Sequence, residues 1–105
     1  MFDPRWKKVP SLEVSTDAVV HVGKCLYFGF VCAPEGSEQT INIYDSAAVA
    51  GASVKVEPTW TADSTKKMDG HEHTNPVLCK NGLTIVLSGG KAIVYYQPWA
   101  EVSYG

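Results

Sequence analysis

The clearest pattern of hydrophobic and polar positions lies near the C-terminal end of the chain. Two runs rich in β-branched and aromatic residues, 83–88 and 91–96, are separated only by Gly89-Gly90. A glycine pair readily adopts the positive φ angles of a two-residue hairpin loop. We therefore predict a β-hairpin, and the loop length fixes a register in which Ile85 pairs with Val94.

This register sorts the side chains of the predicted hairpin onto two faces. One face is apolar, and its members are Leu83, Ile85, Leu87, Ala92, Val94 and Tyr96. The other face is mixed, and its members are Thr84, Val86, Ser88, Lys91, Ile93 and Tyr95. A sheet of this kind buries its apolar face, and its second face is solvated or covered by a neighbour. The pattern predicts an antiparallel β protein.

Earlier parts of the chain predict further short strands. Residues 25–32 are apolar on both sides of the pleat, as in a central strand covered on both faces. Residues 40–45 and 53–57 alternate, and two short strands fit residues 11–23. Beyond the hairpin, we expect these residues to supply the core: Ile41, Ile43, Val54, Val56 and either Phe28 or Phe30.

The strands are short, with turn signals between them, and no convincing helix is present. Seven to nine such strands predict an all-β fold, an antiparallel β-sandwich with immunoglobulin-like or jelly-roll connectivity. We predict a single sandwich domain at 11–97, an extended N-terminal arm at 1–10 and a C-terminal tail at 98–105. Residues 58–76 have loop composition, and we expect one long loop there that contacts a partner.

Aromatic and basic residues of the arm, the loop and the tail are the candidate interface. Buried aromatic anchors carry much of the binding free energy of protein interfaces. The candidates are Phe2, Arg5, Trp6, Lys7, Lys8, Trp60, Trp99 and Tyr104. For the arm, a frayed terminus is the alternative interpretation.

Composition narrows the classes of function. The chain has 105 residues, enough for one domain with a two-layer core. A net charge of -2 with scattered Lys and Arg gives no electrostatic footprint for nucleic acid. We expect no membrane partner, because no apolar run approaches the roughly 20 residues of a spanning helix. We also expect no export signal, because no apolar stretch follows the first residues. Three cysteines without metal spacing predict buried reduced thiols in a protein made in the cytosol.

The sequence contains few residues whose pattern suggests metal binding or catalysis. On an extended strand His71 and His73 would point the same way, which suits chelation. We nevertheless expect a solvated loop there, with no metal or other cofactor, because the sequence shows no third or fourth ligand; a metal site at these two histidines is the alternative. No catalytic motif is present, so we expect a non-enzymatic protein.

A carbohydrate-binding β-sandwich stays open, since these aromatic residues could stack on sugar rings: Tyr27, Tyr44, Trp60, Tyr95 and Trp99.

Four segments of the predicted strands and turns, taken in order, form a recognisable series: 25–31, 41–46, 81–90 and 92–96. Their order resembles that in small β-sandwich structural proteins of tailed bacteriophage particles. The resemblance concerns scaffold strands and a glycine turn, and it carries no catalytic residues. It implies a virion protein, assembled in the bacterial host cytoplasm, that decorates and cements the capsid.

The resemblance also implies partners. These would be the major capsid protein or other virion proteins, and a homo-oligomer such as a trimer would suit a closed symmetric shell. Another head-tail or tail component is the alternative within the same class.

Overall fold

The computed structural model describes residues 11–35, 38–63 and 68–99, which form eight β-strands. The strands are β1 (Ser11–Val14), β2 (Ala18–Val22), β3 (Cys25–Pro34), β4 (Gln39–Tyr44), β5 (Trp60–Ala62), β6 (Asp69–Cys79), β7 (Gly82–Ser88) and β8 (Gly90–Pro98). These residues contain no α-helix, and therefore no helix that could span a membrane. Of the predicted arm and tail, residues 1–10 and 100–105 lie outside the described ranges.

The strands form two four-stranded sheets. Sheet A has the order β1-β8-β3-β6 and sheet B the order β2-β7-β4-β5, with antiparallel pairing throughout. Every connection between consecutive strands crosses from one sheet to the other, except the one between β4 and β5. The predicted β-sandwich is therefore confirmed.

The strands pair in a nested order along the chain, and this order defines the topology. The first strand pairs with the last, β2 with β7, β3 with β6, and β4 with β5. A double layer of two four-stranded sheets with this nested order is a jelly roll. Of the two predicted connectivities, the described strands have the jelly-roll one.

The predicted hairpin at Gly89-Gly90 is wrong. Strand β7 lies in sheet B between β2 and β4, whereas β8 lies in sheet A between β1 and β3. Ile85 pairs with Ala18 and Ile43, and Val94 pairs with Leu12 and Phe30.

The glycine pair makes the crossing between the sheets. Gly89 has φ 86°, and its carbonyl accepts a hydrogen bond of 2.9 Å from the Glu35 amide. A Cβ atom at Gly89 would collide with the Glu38 carbonyl oxygen, and one at Gly90 with that of Ala33. The two glycines are needed for a tight passage between layers and not for a hairpin.

The hydrophobic core lies between the sheets, and most of the predicted inward residues are in it. Buried as predicted are Ile41, Ile43, Leu83, Ile85, Leu87, Ala92, Val94 and, of the two phenylalanines left open, Phe30. Phe28 is also buried but lies outside this cluster, while Val56 and Tyr96 pack against it. The assignment of inward residues within 83–96 is therefore right. The inward residues of β7 and those of β8, however, face each other across the core and do not lie side by side in one sheet.

Two predictions between residues 53 and 76 are wrong. Residues 53–57 form no strand, since only an isolated bridge joins Lys55 to Tyr44, and Val54 is 59% exposed. Residues 58–76 are not one long loop, because they contain β5 and most of β6. Turn-rich composition misled the prediction here, since edge strands tolerate polar residues and proline.

All three cysteines are buried free thiols, as predicted. Cys25 and Cys79 lie opposite each other on β3 and β6. A hydrogen bond with Cys25 and burial raise the pKa of the Cys79 thiol, so this sulfur stays protonated and unreactive.

We predict that Ile85→Ala lowers the free energy of unfolding by about 2–5 kcal/mol, because it leaves a cavity at a fully buried position of a central strand. Val54→Ala is the control, and at an exposed site it should change stability by no more than about 0.5 kcal/mol. Urea unfolding of both variants measures the difference. Equal effects of the two substitutions would contradict this core.

Candidate functional site

Polar and aromatic side chains gather at one open side of the sandwich, where β6 is the edge of sheet A and β5 the edge of sheet B. His71 stands opposite Phe30 on β3, so it shares the core-facing side of sheet A. Trp60 stands opposite Ile41 on β4 in sheet B. The two edges therefore bring His71 and Trp60 face to face at the rim of the core.

A large irregularity in β6 positions the second histidine. Between the pairs Tyr27–Val77 and Gly29–Glu72, β3 advances two residues while β6 advances five. The additional residues of β6 form a bulge that includes His73 and Pro76. Bulges re-aim side chains at sheet edges, and proline is tolerated there because no ladder hydrogen bond is lost.

Glu57 supplies a carboxylate to the same place from the segment that leads into β5. Its side chain is only 2% exposed. The oxygen Oε1 lies 2.7 Å from His73 Nε2 and 3.4 Å from His71 Nδ1, and it accepts a hydrogen bond of 3.0 Å from the Tyr27 hydroxyl. We call Glu57, His71 and His73 the Glu-His-His cluster. Their ligand atoms all lie within 4.8 Å of one another.

Aromatic rings enclose the cluster. The Trp60 ring stacks on His71 at 5.8 Å and 9° and meets the edge of Phe30 at 5.5 Å. Tyr27 packs edge-on against His73 at 5.3 Å. The indole Nε1 of Trp60 donates a hydrogen bond to Asp69. The imidazole rings are therefore held by packing as well as by their polar contacts.

The surroundings keep the Tyr27 hydroxyl protonated. Burial raises the pKa of Tyr27 well above its ordinary value, and the Glu57 charge and hydrogen bond raise it further. Tyr27 therefore acts as a permanent donor to the carboxylate.

The second carboxylate oxygen of Glu57 has no such donor. Oε2 is buried and accepts no hydrogen bond from any residue in the described ranges. A buried carboxylate oxygen without a partner is costly, and most buried polar atoms are paired. This makes Glu57 the most unusual polar group of the site.

The arrangement can bind a cation, because two imidazole nitrogens and a carboxylate are common ligands of divalent transition metals. An open groove lined by Phe30, Val31, Met68 and Tyr95 runs beside His71. The imidazole of His71 is 43% exposed, so the cluster can be reached from solvent.

The proximity of His71 and His73 could be inferred from their spacing, but the presence of Glu57 beside them could not. The expectation that no further ligand accompanies the two histidines is wrong, because Glu57 joins them. Fourteen positions separate Glu57 from His71, and the position of Glu57 at the end of an incorrectly predicted strand gave no signal.

The predicted interface residues divide into two groups. Phe2, Arg5, Trp6, Lys7, Lys8 and Tyr104 lie outside the described residues. Trp60 is half-buried in the site, and Trp99 follows β8, where the Lys24 ammonium lies 4.1 Å from its ring centroid. Of the aromatics considered for sugar stacking, Tyr27 is fully buried and offers no face to a sugar.

The comparisons with known proteins give no family for this chain. No protein-family model matches the sequence, and no curated protein is significantly similar to it.

We predict that Tyr27→Phe lowers the free energy of unfolding by about 1.5–3 kcal/mol, because it removes a hydrogen bond to a buried carboxylate. The control is Tyr96→Phe, since the Tyr96 hydroxyl makes no hydrogen bond within the described part of the chain, and its effect should stay within about 0.5 kcal/mol. Thermal and urea unfolding measure both. If the two substitutions have the same effect, the Tyr27–Glu57 hydrogen bond does not contribute to stability.

Proposed function

We propose that this protein is a non-enzymatic structural component of a tailed-bacteriophage virion, and that it decorates and stabilises the capsid by binding the major capsid protein. The observation that carries the proposal is the difference between the two outer faces of the sandwich. The resemblance of the scaffold strands to phage structural proteins supplies the class of partner.

The outer face of sheet A carries more apolar side chains than that of sheet B. Register also places polar residues on it, including Glu13 opposite Ile93 and Gln97 opposite Leu26. Strand register places four half-buried apolar residues on it, Leu26, Val31, Ile93 and Tyr95. Leu78, opposite Leu26 on the edge strand β6, is 41% exposed. An apolar patch on the surface of a small domain is typical of a protein interaction site.

The outer face of sheet B is mainly polar. Register places these residues on it: Val19, Thr40, Asn42, Tyr44, Val86 and Ser88, together with Thr84, which is fully buried. A domain whose two broad faces differ in this way suits a position on a surface, where one face docks and the other meets solvent. A decoration protein on a capsid shell occupies such a position.

The jelly-roll architecture is compatible with this role. The same architecture occurs in viral capsid domains and in lectins, so it supports the class of protein without identifying it. Two packed sheets with a continuous core give a stiff domain that can transmit load between neighbouring capsid subunits.

The arm and the tail belong to the same proposal. Contact of the predicted arm at 1–10 with a neighbouring capsid or sister subunit, with Trp6 as its anchor, is part of this proposal; ten residues span at most about 33–36 Å. A cyclic homo-oligomer such as a trimer would place several docking faces around one symmetry axis of the shell. Neither nucleic acid nor membrane is needed as a partner.

The proposal is tested on particles of the phage that encodes the chain. We expect mass spectrometry of purified particles to find the protein in stoichiometric amounts. Leu26→Lys, on central strand β3 and between Leu78 and Gln97, should lower its occupancy on particles at least tenfold, because an unpaired charge in an apolar interface is costly to desolvate.

Val86→Lys is the matched control, since Val86 is also half-buried on a central strand but lies on the outer face of sheet B. It should fold and decorate at full occupancy. If Leu26→Lys does not fold, Leu78→Lys replaces it at a more exposed site of the same face. Absence of the protein from particles, or equal occupancy of all variants, would contradict the proposal. Binding of a glycan array by the monomer would favour a carbohydrate-binding module.

A further inference from the structure

We propose that the Glu-His-His cluster is a binding site for a divalent transition metal ion, and that Zn²⁺ fits it best. The proposal rests on the geometry of three side chains and on the buried carboxylate of Glu57. It concerns the isolated chain and does not depend on the proposed virion role.

The spacing of the ligand atoms is close to that of a zinc site. With Zn²⁺ bonds of about 2.0–2.1 Å, two ligands of a tetrahedral ion lie about 3.3 Å apart. His71 Nδ1 and Glu57 Oε1 are already 3.4 Å apart. His73 Nε2 and Glu57 Oε1, at 2.7 Å, need to separate by about 0.6 Å, and the two imidazole nitrogens lie within 4.8 Å of each other. His73 lies in the irregular part of β6, which is less constrained than a regular ladder, so His73 supplies that movement.

Glu57 provides the independent observation. Its Oε2 is buried without a hydrogen bond from any described residue, although the side chain is only 2% exposed. A metal ion would neutralise this buried charge, and the carboxylate could present either oxygen to it. Such an ion relieves the cost of burying an incompletely paired carboxylate.

The residues around the ligands resemble the outer shell of a metal site. Carboxylates that bind metals are usually oriented by hydrogen bonds, and Tyr27 donates one to Glu57. Trp60 stacks flat on His71 and fixes its ring. These contacts hold the ligands near their binding positions before the ion arrives, which lowers the entropic cost of binding.

The ligand chemistry selects the class of ion. Ca²⁺ and Mg²⁺ prefer sites built from oxygen atoms, whereas imidazole ligands favour Zn²⁺ and neighbouring transition metals. Three protein ligands leave a fourth position, and the 43% exposure of His71 places it toward solvent. The ion would join β6 of sheet A to the segment entering β5 of sheet B, and so close the open side of the sandwich.

The test is Zn²⁺ binding by the purified full chain after chelator treatment. We expect isothermal titration calorimetry to give one site per chain, and added Zn²⁺ to raise the melting temperature because it binds the folded state. Co²⁺ should bind at the same site and give the visible spectrum of a four-coordinate ion, whereas Mg²⁺ should have no effect on melting.

Three substitutions assign the site. His71→Gln, at an exposed position, and His73→Gln should each abolish the Zn²⁺-dependent rise in melting temperature. Tyr27→Phe should weaken binding on the order of 10- to 100-fold, as expected for a residue that orients a ligand. His21→Gln is the matched control, since His21 lies at the far end of sheet B beside Tyr96, and it should bind Zn²⁺ like the wild type.

Two results would overturn the proposal. One is a wild-type chain whose calorimetry and melting temperature do not respond to Zn²⁺. The other is a Zn²⁺ response that persists in both His71→Gln and His73→Gln, which would assign the ion to the buried thiols or to another part of the chain.

Discussion

The packing of two apolar sheet faces against each other is the constraint on which this structure depends. Each of the central strands β3, β4, β7 and β8 has one side that must leave water, and the opposite sheet supplies the covering surface. Because nearly every connection crosses between the sheets, strands that are consecutive in the sequence face each other across the core. The same crossing places β5 and β6 on the edges of different sheets, and this arrangement brings Glu57 to His71 and His73.

The site and the proposed docking face occupy different parts of the sandwich. The Glu-His-His cluster lies at the rim between the sheets, whereas the apolar residues Val31 and Ile93 lie on the outer surface of sheet A. A metal ion at the rim would therefore raise the stability of the folded domain, whereas the outer face of sheet A would bind the proposed partner.

Local patterns in the sequence predicted which side chains are buried more accurately than they predicted which strands are neighbours. Alternation identified Ile41, Ile85 and Val94 as inward residues, because burial of one face imposes a period of two on any strand. The same alternation arises whether two strands lie side by side or face to face, so it could not show that Gly89-Gly90 joins two layers. Glu57 was missed for a related reason: its burial depends on tertiary contacts with Tyr27 and His73, which leave no local signal.

The placement of β7 and β8 in different sheets is tested most directly by backbone proton contacts in solution. In the uniformly labelled protein, NMR should show cross-strand contacts from the backbone of Ile85 to those of Ala18 and Ile43. The backbone of Val94 should likewise contact those of Leu12 and Phe30. Methyl contacts between Ile85 and Val94 agree with either topology, so only backbone protons decide. A direct backbone contact between Ile85 and Val94 would establish the hairpin and contradict the jelly roll.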